Sequence, residues 1–262
     1  MATFSLDIVV PIIPVHHKYL SRLLRNIESA SVLPNNVIIA ASSQTRNSMQ
    51  FLKSITKVSP LRIEIIGTEN QHTAGSNRNR GWELCESEYI GFCDADDSYS
   101  KKRNEVLRSI AEKFSPDLIL HNYSNLKPQF YIDHLSTSRI FLTEEVLYKS
   151  TFPNKSRDKS LETGVSGETN IYLPVGSKKS WKIHHGHATI RRTITERFGE
   201  IPSRGEDGQI CRDILFNGKR VVYTPNKLSN YNRPTLPNIA IKSFLKIESE
   251  MAGIKRSFLT KE

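Results

Sequence analysis

Three carboxylates that follow a short apolar segment are the residues of this sequence best suited to chemistry. Asp94, Asp96 and Asp97 come directly after residues 89–93, which have the composition of a buried strand. Carboxylates this close together repel one another unless a cation neutralises them, and hard oxygen ligands suit Mg²⁺ or Mn²⁺. Because Mg²⁺ is usually held by one or two carboxylates and by substrate phosphates, the cluster predicts a metal site for a phosphorylated ligand. The alternative is a solvated acidic turn that caps a helix starting near Ser100.

A second candidate site is the glycine-bounded segment 74–81, AGSNRNRG, at the start of a helix predicted over 76–86. Gly75 lets the backbone approach a ligand, a helix N-terminus favours anions, and Arg78 can pair with a phosphate or with a carbonyl-rich base. Most helix starts of this kind are only caps. The segment is informative because it lies one strand before the acidic cluster.

Two adjacent carboxylates, Glu206 and Asp207, open another predicted helix. Acidic residues at a helix N-terminus are ordinarily favourable partners of the helix dipole. A carboxylate set in a cleft can instead act as a general base. Both interpretations stay open on the residues alone.

Three histidines lie close together at positions 184, 185 and 187. They could ligate a metal or bind anions. Histidine clusters are more often structural or exposed, and that alternative is favoured for His184.

Strands and helices that alternate along the first 121 residues must position these groups. Short apolar runs predict buried strands, and apolar residues at helical spacing predict helices between them. This alternation indicates right-handed βαβ units and a parallel sheet, whose ligands bind at the carboxyl ends of the strands. The strands are predicted at 6–10, where Pro11 ends the first one, and at 36–41, 62–67, 88–93 and 117–121, and the helices at 17–30, 48–57, 76–86 and 101–114.

The pattern becomes irregular over residues 122–182, with candidate strands at 129–132 and 139–142 and a Ser-, Lys- and Gly-rich stretch at 154–167. Long irregular stretches are typical of lids, binding loops or disorder. Apolar periodicity returns further on, and the last segment is amphipathic and basic. These later features are periodicity at 188–198, a helix at 207–216, a strand at 220–223 and the tail at 241–259.

The charge of the chain is unevenly distributed. The sequence holds 37 Lys and Arg against 27 Asp and Glu, a net charge of +10, which suggests an anionic partner. Residues 1–100 hold 9 basic against 10 acidic side chains, whereas residues 101–262 hold 28 against 17. The basic residues are scattered rather than interleaved with aromatic ones, which argues against nucleic acid as the partner.

Cysteine usage and the N-terminal sequence suggest a compartment. Cys85, Cys93 and Cys211 are an odd number without CxxC spacing, which favours buried reduced thiols in a reducing environment. The N-terminal segment has no basic region, and Pro11 and Pro14 interrupt its apolar run. We therefore expect neither a signal peptide nor a membrane anchor, and a cytoplasmic protein.

Four motifs in series resemble the GT-A glycosyltransferases of family 2. They are VVPII with KYL (9–13 and 18–20), NRNRG (77–81), YIGFCDADD (89–97) and RGEDGQICRDILFNGKRVVYTP (204–225). The resemblance covers about residues 5–121 and 184–233. It implies a single α/β domain of the GT-A, Rossmann-like type, with a central mostly parallel sheet flanked by helices. Residues 1–121 would bind the donor, and residues 122–262 would form an elaborated acceptor region.

The activity that the resemblance implies is an inverting, metal-dependent transfer from a nucleotide-sugar to an acceptor hydroxyl on a glycan, a lipid-linked or a protein-linked acceptor. Asp207 would be the general base and Glu206 would orient it. Asp96 would hold Mn²⁺ or Mg²⁺, with Asp94 as a further ligand that also contacts the ribose, and with His187 or alternatively His185 completing the site. The remaining implied donor-binding residues are Pro11, Ile13, Ser42, Gly75 and Arg78.

One departure from the family pattern concerns the nucleobase. The family usually ends its second strand with DDGS, where an Asp reads the base, and residues 41–44 are ASSQ here. Ser42 could still form a hydrogen bond to a base. We expect a UDP-sugar, with a GDP- or dTDP-sugar as alternatives.

Two other functions fit part of the sequence. Without DDGS, the chain could be an inactive GT-A-like protein that binds a glycan or another polyanion. Residues 94–98 also fit the DxDx(S/T) string of haloacid dehalogenase phosphatases, but about four strands precede them here, whereas that motif follows the first strand. In an active transferase, the basic second half is expected to face an acidic glycan, a phosphorylated acceptor or a membrane surface. The sequence leaves the oligomeric state open.

Overall fold

The computed structural model describes residues 4–124, 140–142, 187–200, 206–217 and 219–232. The strands are β1 (Leu6–Ile12), β2 (Asn36–Ala41), β3 (Ile63–Gly67), β4 (Tyr89–Phe92), β5 (Ser98–Tyr99), β6 (Leu118–Tyr123), β7 (Ile140–Leu142), β8 (Thr189–Arg191) and β9 (Val221–Asn230). The helices are α1 (His17–Glu28), α2 (Arg46–Lys57), α3 (Ala74–Trp82), α4 (Arg103–Phe114) and α5 (Glu206–Phe216), and a 3₁₀ turn, Pro14–His16, precedes α1.

The elements predicted over the first 121 residues are confirmed, and so is the helix predicted at 207–216. The periodic segment 188–198 forms β8 followed by irregular backbone in which Ile194 and Phe198 are buried. Several predictions lie outside the described residues. They are the candidate strand at 129–132, the stretch at 154–167, His184, His185 and the tail at 241–259.

Among the described residues, nine strands form one mixed sheet in the order β3-β2-β1-β4-β8-β6-β9-β5, with β7 also paired to β9. Strands β1 to β4, β6 and β9 run in one direction, and β5, β7 and β8 run against them. The expected mostly parallel α/β sheet is therefore confirmed. The short strand β8 comes late in the chain and lies between β4 and β6, which the local sequence pattern did not indicate.

The first strand continues through Pro11, so the prediction that Pro11 ends it was wrong. Val9 main-chain oxygen accepts from Cys93 on the β4 side, and Ile12 main-chain oxygen accepts from Ser42 on the β2 side. Because main-chain groups alternate in direction along a strand, Pro11 faces the β4 side. The β1–β4 pairing ends at Val9 opposite Phe92, and Pro11, which has no N–H to donate towards β4, stays paired with Ala40 of β2.

Each face of the sheet packs against helices. One apolar cluster joins Val9, Ile38 and Phe92 to Trp82 of α3 and Ile210 of α5. A second cluster joins the alternate strand residues to α1, α2 and α4 through side chains that include Ile8, Val10, Leu23, Leu52 and Ile110. All three cysteines are buried and free, as expected. This three-layer packing fixes the carboxyl edge of the sheet, where the candidate site residues lie.

Candidate active site

The candidate site residues lie where β2 and β4 end and where α3 and α5 begin. Ser42 follows β2, and Asp94 comes two residues after β4. Helix α3 begins after Thr73, whose side chain caps it by accepting a hydrogen bond from the Ser76 main-chain N–H at 3.0 Å. Glu206 is the first residue of α5. The topology therefore brings residues from distant parts of the sequence to one edge of the sheet.

Arg78 connects three of these segments. Its Nη2 donates to Asp94 Oδ1 at 2.7 Å, and its Nη1 donates to Glu206 Oε1 at 3.1 Å. The guanidinium is buried and stacks over the Phe198 ring at 5.3 Å. Burial by itself lowers the pKa of Arg78, but Asp94, Glu206 and Asp207 together raise it above its ordinary value. The guanidinium is thus a permanent positive charge between α5 and residues 94–97, which we call the acidic loop.

Glu206 and Asp207 have different surroundings. Burial raises the pKa of Glu206, the Arg78 charge lowers it, and the adjacent Asp207 raises it again, with a net increase. Asp207 Oδ1 accepts a hydrogen bond from the main-chain N–H of Gly208 at 2.8 Å. The two carboxylates that the sequence singled out therefore both act on the Arg78 guanidinium, and Glu206 Oε1 accepts a hydrogen bond from it.

The acidic loop and a buried histidine form a group of possible metal ligands. Asp94, Asp97 and His187 each offer an atom within 4.8 Å of the others. His187 Nε2 lies 3.1 Å from Asp97 Oδ2 and accepts a hydrogen bond from the Asp94 main-chain N–H at 3.1 Å. Asp97 Oδ1 accepts from the Asn232 main-chain N–H at 2.8 Å, so the carboxylate is fixed from both sides.

The donor set could hold a divalent metal ion. Carboxylates are ligands that Mg²⁺ and Mn²⁺ prefer, and an imidazole is a ligand for transition-metal ions. Neighbouring ligands of an octahedral ion with bonds of about 2.1 Å are about 3.0 Å apart. The distance from His187 Nε2 to Asp97 Oδ2, 3.1 Å, agrees with that spacing. Among the described residues, these three form the group that the geometry supports as a metal site.

Asp96, which the sequence analysis expected as a metal ligand, lies outside that group. Its main-chain oxygen accepts hydrogen bonds from Arg22 and from Asn232 Nδ2, the latter at 3.0 Å. Burial is the main reason that the pKa of Asp96 rises to about 6, with Asp94 and Asp97 adding to the increase and His16 opposing it. Asp96 is therefore close enough to Asp94 and Asp97 to feel their negative charge, but its carboxylate is not part of the group of candidate ligand atoms.

The residues expected to bind the nucleobase lie at the ends of β1 and β2. Pro11 is buried within β1, and Ile13 is half-buried and directly follows the last residue of that strand. Ser42 is fully buried, and its Oγ accepts a hydrogen bond from Asn77 Nδ2 at 2.8 Å. Asn77 lies in the NRNRG segment, so the sequence contained this partner, but residue types alone did not indicate the pairing.

Gly75 has a packing role in addition to its expected closeness to a ligand. A Cβ at this position would come within 2.4 Å of the Gly199 main-chain oxygen and 3.1 Å of Glu206 Cγ. Only glycine therefore lets α3 approach the segment that precedes α5. The expected donor-binding position of Gly75 is at this close contact between the two halves of the site.

Several residues of the site's surroundings were missed by sequence reasoning. Arg103, Ser229 and Asn232 contact the acidic loop or His187 through hydrogen bonds that the fold creates. None of them stands in a motif, since each is a single polar residue at the end of a helix or strand.

None of the described helices is long and apolar enough to cross a bilayer.

Comparisons with known proteins agree with this architecture. The model of glycosyl transferase family 2 matches residues 10–173, more than half of the chain. No curated protein sequence matches. Similar solved structures include S. aureus TarS 1-349 in complex with UDP-GlcNAc, at 15% identity and a TM-score of 0.61, over 90% of this chain and 61% of that chain.

A second similar structure is the mannosyltransferase PcManGT from Pyrobaculum calidifontis in complex with GDP-Man and Mn²⁺. It is 12% identical with a TM-score of 0.61, over 90% of this chain and 59% of that chain. At such identities the likeness shows the fold, and this chain spans less than two thirds of either solved chain. The family match, which covers more than half of the sequence, and the agreeing fold together show that the chain belongs to glycosyl transferase family 2.

Proposed function

We propose that this protein transfers a sugar from a nucleoside-diphosphate sugar to an acceptor hydroxyl by a metal-dependent single displacement with inversion. The observation that carries the proposal is the bridge from Asp94 through Arg78 to Glu206. Through it, the acidic loop and Glu206, which precedes the candidate base Asp207, both contact the buried Arg78 guanidinium. Family membership supports the same reaction class.

On the donor side, Asp94, Asp97 and His187 would hold Mn²⁺ or Mg²⁺. A bound divalent ion offsets the negative charge that develops on a leaving diphosphate. Asp94 would in addition contact the ribose. Asp96 would add negative charge beside the ion, and it remains a proposed ligand if the loop rearranges when donor binds. Neighbouring folds with Mn²⁺ and GDP-Man, or with UDP-GlcNAc, support a donor of this class.

On the acceptor side, Asp207 would act as the general base and Glu206 would orient the acceptor or the base. The acceptor oxygen would form a bond to the anomeric carbon as its proton passes to a carboxylate oxygen of Asp207. The bond from the anomeric carbon to the diphosphate oxygen would break on the opposite face, which inverts the configuration. Positioned general bases contribute roughly 10² to 10⁴ in rate.

Pro11, Ile13, Ser42, Gly75 and Arg78 would form the nucleotide end of the site. A UDP-sugar is the proposed donor, with GDP- or dTDP-sugars as alternatives because residues 41–44 lack the carboxylate of the family pattern. Residues 122–262 would form the acceptor side. Their basic balance supports an acidic glycan, a phosphorylated acceptor or contact with a membrane surface, in a cytoplasmic or peripheral protein.

The test is transfer and hydrolysis from a panel of nucleotide-sugars with Mn²⁺. We expect Asp207→Asn to lower turnover by roughly 10² or more while calorimetry still detects donor binding. Asp213→Asn is the matched control, since Asp213 lies on the same helix and accepts a hydrogen bond from Gln209 at the surface. Donor binding without turnover in the wild type would favour the inactive binding protein. Absence of any donor binding would contradict the transferase proposal.

A further inference from the structure

The ring of His187 has a different partner at each nitrogen. Nε2 faces Asp94 and Asp97, as described above, and Nδ1 lies 2.7 Å from Ser229 Oγ. A neutral imidazole carries one proton, so one ring nitrogen donates and the other accepts. His187 can offer an Nε2 lone pair to a metal only when Nδ1 carries the proton. That proton then requires an acceptor.

Ser229 Oγ is the well-placed acceptor among the described neighbours of Nδ1. Two further described groups near Nδ1 are Cys93 Sγ at 4.0 Å and Arg103 Nη1 at 3.4 Å. A guanidinium has donors only, and a thiol is a weak acceptor. The hydroxyl also belongs to β9, where Ser229 pairs with Tyr99 of β5, so its position is fixed by the sheet.

Arg103 holds both sides of this contact. Its side chain is fully buried, and its Nη2 donates to the main-chain oxygens of Phe92 at 3.0 Å and His187 at 2.9 Å. Its Nη1 donates to Ser229 Oγ at 3.4 Å. The guanidinium also stacks over the Tyr99 ring at 4.6 Å. One side chain thus connects the end of β4, His187 two residues before β8 and the end of β9.

We propose that Ser229 and Arg103 are positioning residues for His187, with Ser229 Oγ accepting the Nδ1 proton and Arg103 holding the Ser229 hydroxyl and the His187 main chain. This arrangement leaves the proton off Nε2, so that an ion beside Asp94 and Asp97 could take the lone pair that accepts from the Asp94 main-chain N–H in this structure. The inference rests on the metal site of the proposed function and goes beyond it, because neither residue is one of the candidate ligands. Partners of this kind orient a metal-bound imidazole and raise its basicity.

The experiment measures Mn²⁺ binding to the full chain without nucleotide, by the electron paramagnetic resonance signal of free Mn²⁺. Ser229→Ala is expected to weaken binding by roughly 10- to 100-fold. Arg103→Lys, which cannot donate to three acceptors in the same plane, is expected to weaken binding in the same direction. The matched control is Ser87→Ala, which removes a buried hydroxyl bonded to Asp7 at 2.9 Å beyond the other end of β4.

A merely structural role and a positioning role of Ser229 predict different Mn²⁺ affinities when Ser229→Ala is combined with His187→Gln. If Ser229 acts through His187, Ser229→Ala has no further effect there. An equal loss in both backgrounds, or an unchanged affinity of Ser229→Ala or of Arg103→Lys, would overturn the assignment of the residue concerned. If Ser229→Ala does not fold, nitrogen NMR of wild-type His187 with Mg²⁺ decides the matter: a proton on Nδ1 supports the proposal, and a proton on Nε2 overturns it.

These outcomes are separate from those of the transfer assay. Wild-type protein that binds Mn²⁺ as described but transfers no sugar contradicts the proposed function and leaves the positioning roles supported. If the wild-type protein binds no Mn²⁺, the positioning roles are overturned. If it still transfers sugar, the proposed sugar transfer is supported and its metal dependence is contradicted.

Discussion

Arg78 and Glu206 are 128 positions apart in the sequence, yet Arg78 Nη1 lies 3.1 Å from Glu206 Oε1. The same guanidinium contacts Asp94, whose side chain is one-third exposed, whereas that of Arg78 is only 4% exposed. The start of α5 therefore cannot move away from the end of β4 without separating a buried charge from its partners. We therefore expect the Asp94–Arg78–Glu206 contacts to contribute both to the free energy of unfolding and to the relative positions of the site residues.

Arg78→Met would leave two partly buried carboxylates without their cation. Removing one partner of a buried ion pair typically costs about 3 to 5 kcal/mol, so we expect a loss near the lower end of that range in urea unfolding. Arg197→Met is the control, because the Arg197–Glu83 pair is largely exposed. Its loss should be about 1 kcal/mol or less. Equal losses for the two variants would contradict the importance of the bridge.

Asp97 and Asp96 are expected to differ as metal ligands. An ion at 100 times its Kd stabilises a protein by about 2.7 kcal/mol, which is visible as a rise in Tm. Asp97→Asn should abolish most of the Mn²⁺-dependent rise, since Asp97 lies in the group with Asp94 and His187. Asp96→Asn should retain more of it. The reverse order would show that the loop rearranges to use Asp96.

The stability of the metal-free protein should depend on Asp96 through pH. Burial first, then the neighbouring aspartates, raise the pKa of Asp96 from 3.8 to about 6 in the folded protein. A carboxyl group whose pKa is raised by folding destabilises the folded state as pH rises through that interval, with the loss complete above the folded pKa. Asp96→Asn cannot ionise.

We therefore expect Asp96→Asn to raise Tm in EDTA at about pH 7.5, with a gain that shrinks as the pH falls towards about 5. The measurement is thermal unfolding across this range. The same Asp→Asn change at Asp213 of α5, which accepts a hydrogen bond from Gln209 at the surface, is the control. A gain that grows at lower pH would contradict the sign of the effect.

Gly75→Ala should destabilise the protein because its Cβ would meet main-chain oxygen of Gly199 at 2.4 Å. Overpacking against backbone costs roughly 1 to 3 kcal/mol, and donor affinity should fall with it since α3 and α5 would separate. Gly199→Ala is the partner control, with its nearest atom 3.9 Å from the new Cβ. Similar stability of the two variants in urea unfolding would contradict this explanation.

Local sequence patterns were enough to predict the strands and helices of residues 1–121 and the acidic loop. Leu23 and Ile27 of α1 and the apolar run before Asp94 follow periodicities that depend only on neighbouring residues. The roles of Asp96 and Asp97 could not be separated in this way. The Asp97 side chain is held by Asn232 and His187, which join the loop through the tertiary fold, whereas Asp96 meets Asn232 through its main-chain oxygen.

The end of β1 shows the same limit. Proline is a sound signal for the end of a strand, but here β1 continues through its pairing with β2, while its pairing with β4 ends before Pro11. Arg103 and Ser229 had no local signal, because a single Arg at a helix start and a single Ser near a strand end are common. Their importance comes from contacts made across more than 80 positions of sequence.

The position of β8 has a consequence for the order in which the molecule is assembled. Strands β1 to β4 form a parallel set from consecutive parts of the chain, whereas in the described sheet β8 lies between β4 and β6. A nascent chain can therefore pair its first four strands early, but the sheet remains divided until residues 189–191 have been synthesised. Since His187 precedes this strand, and Ser229 follows later still, the candidate metal site is completed last, when β8 and β9 close the sheet.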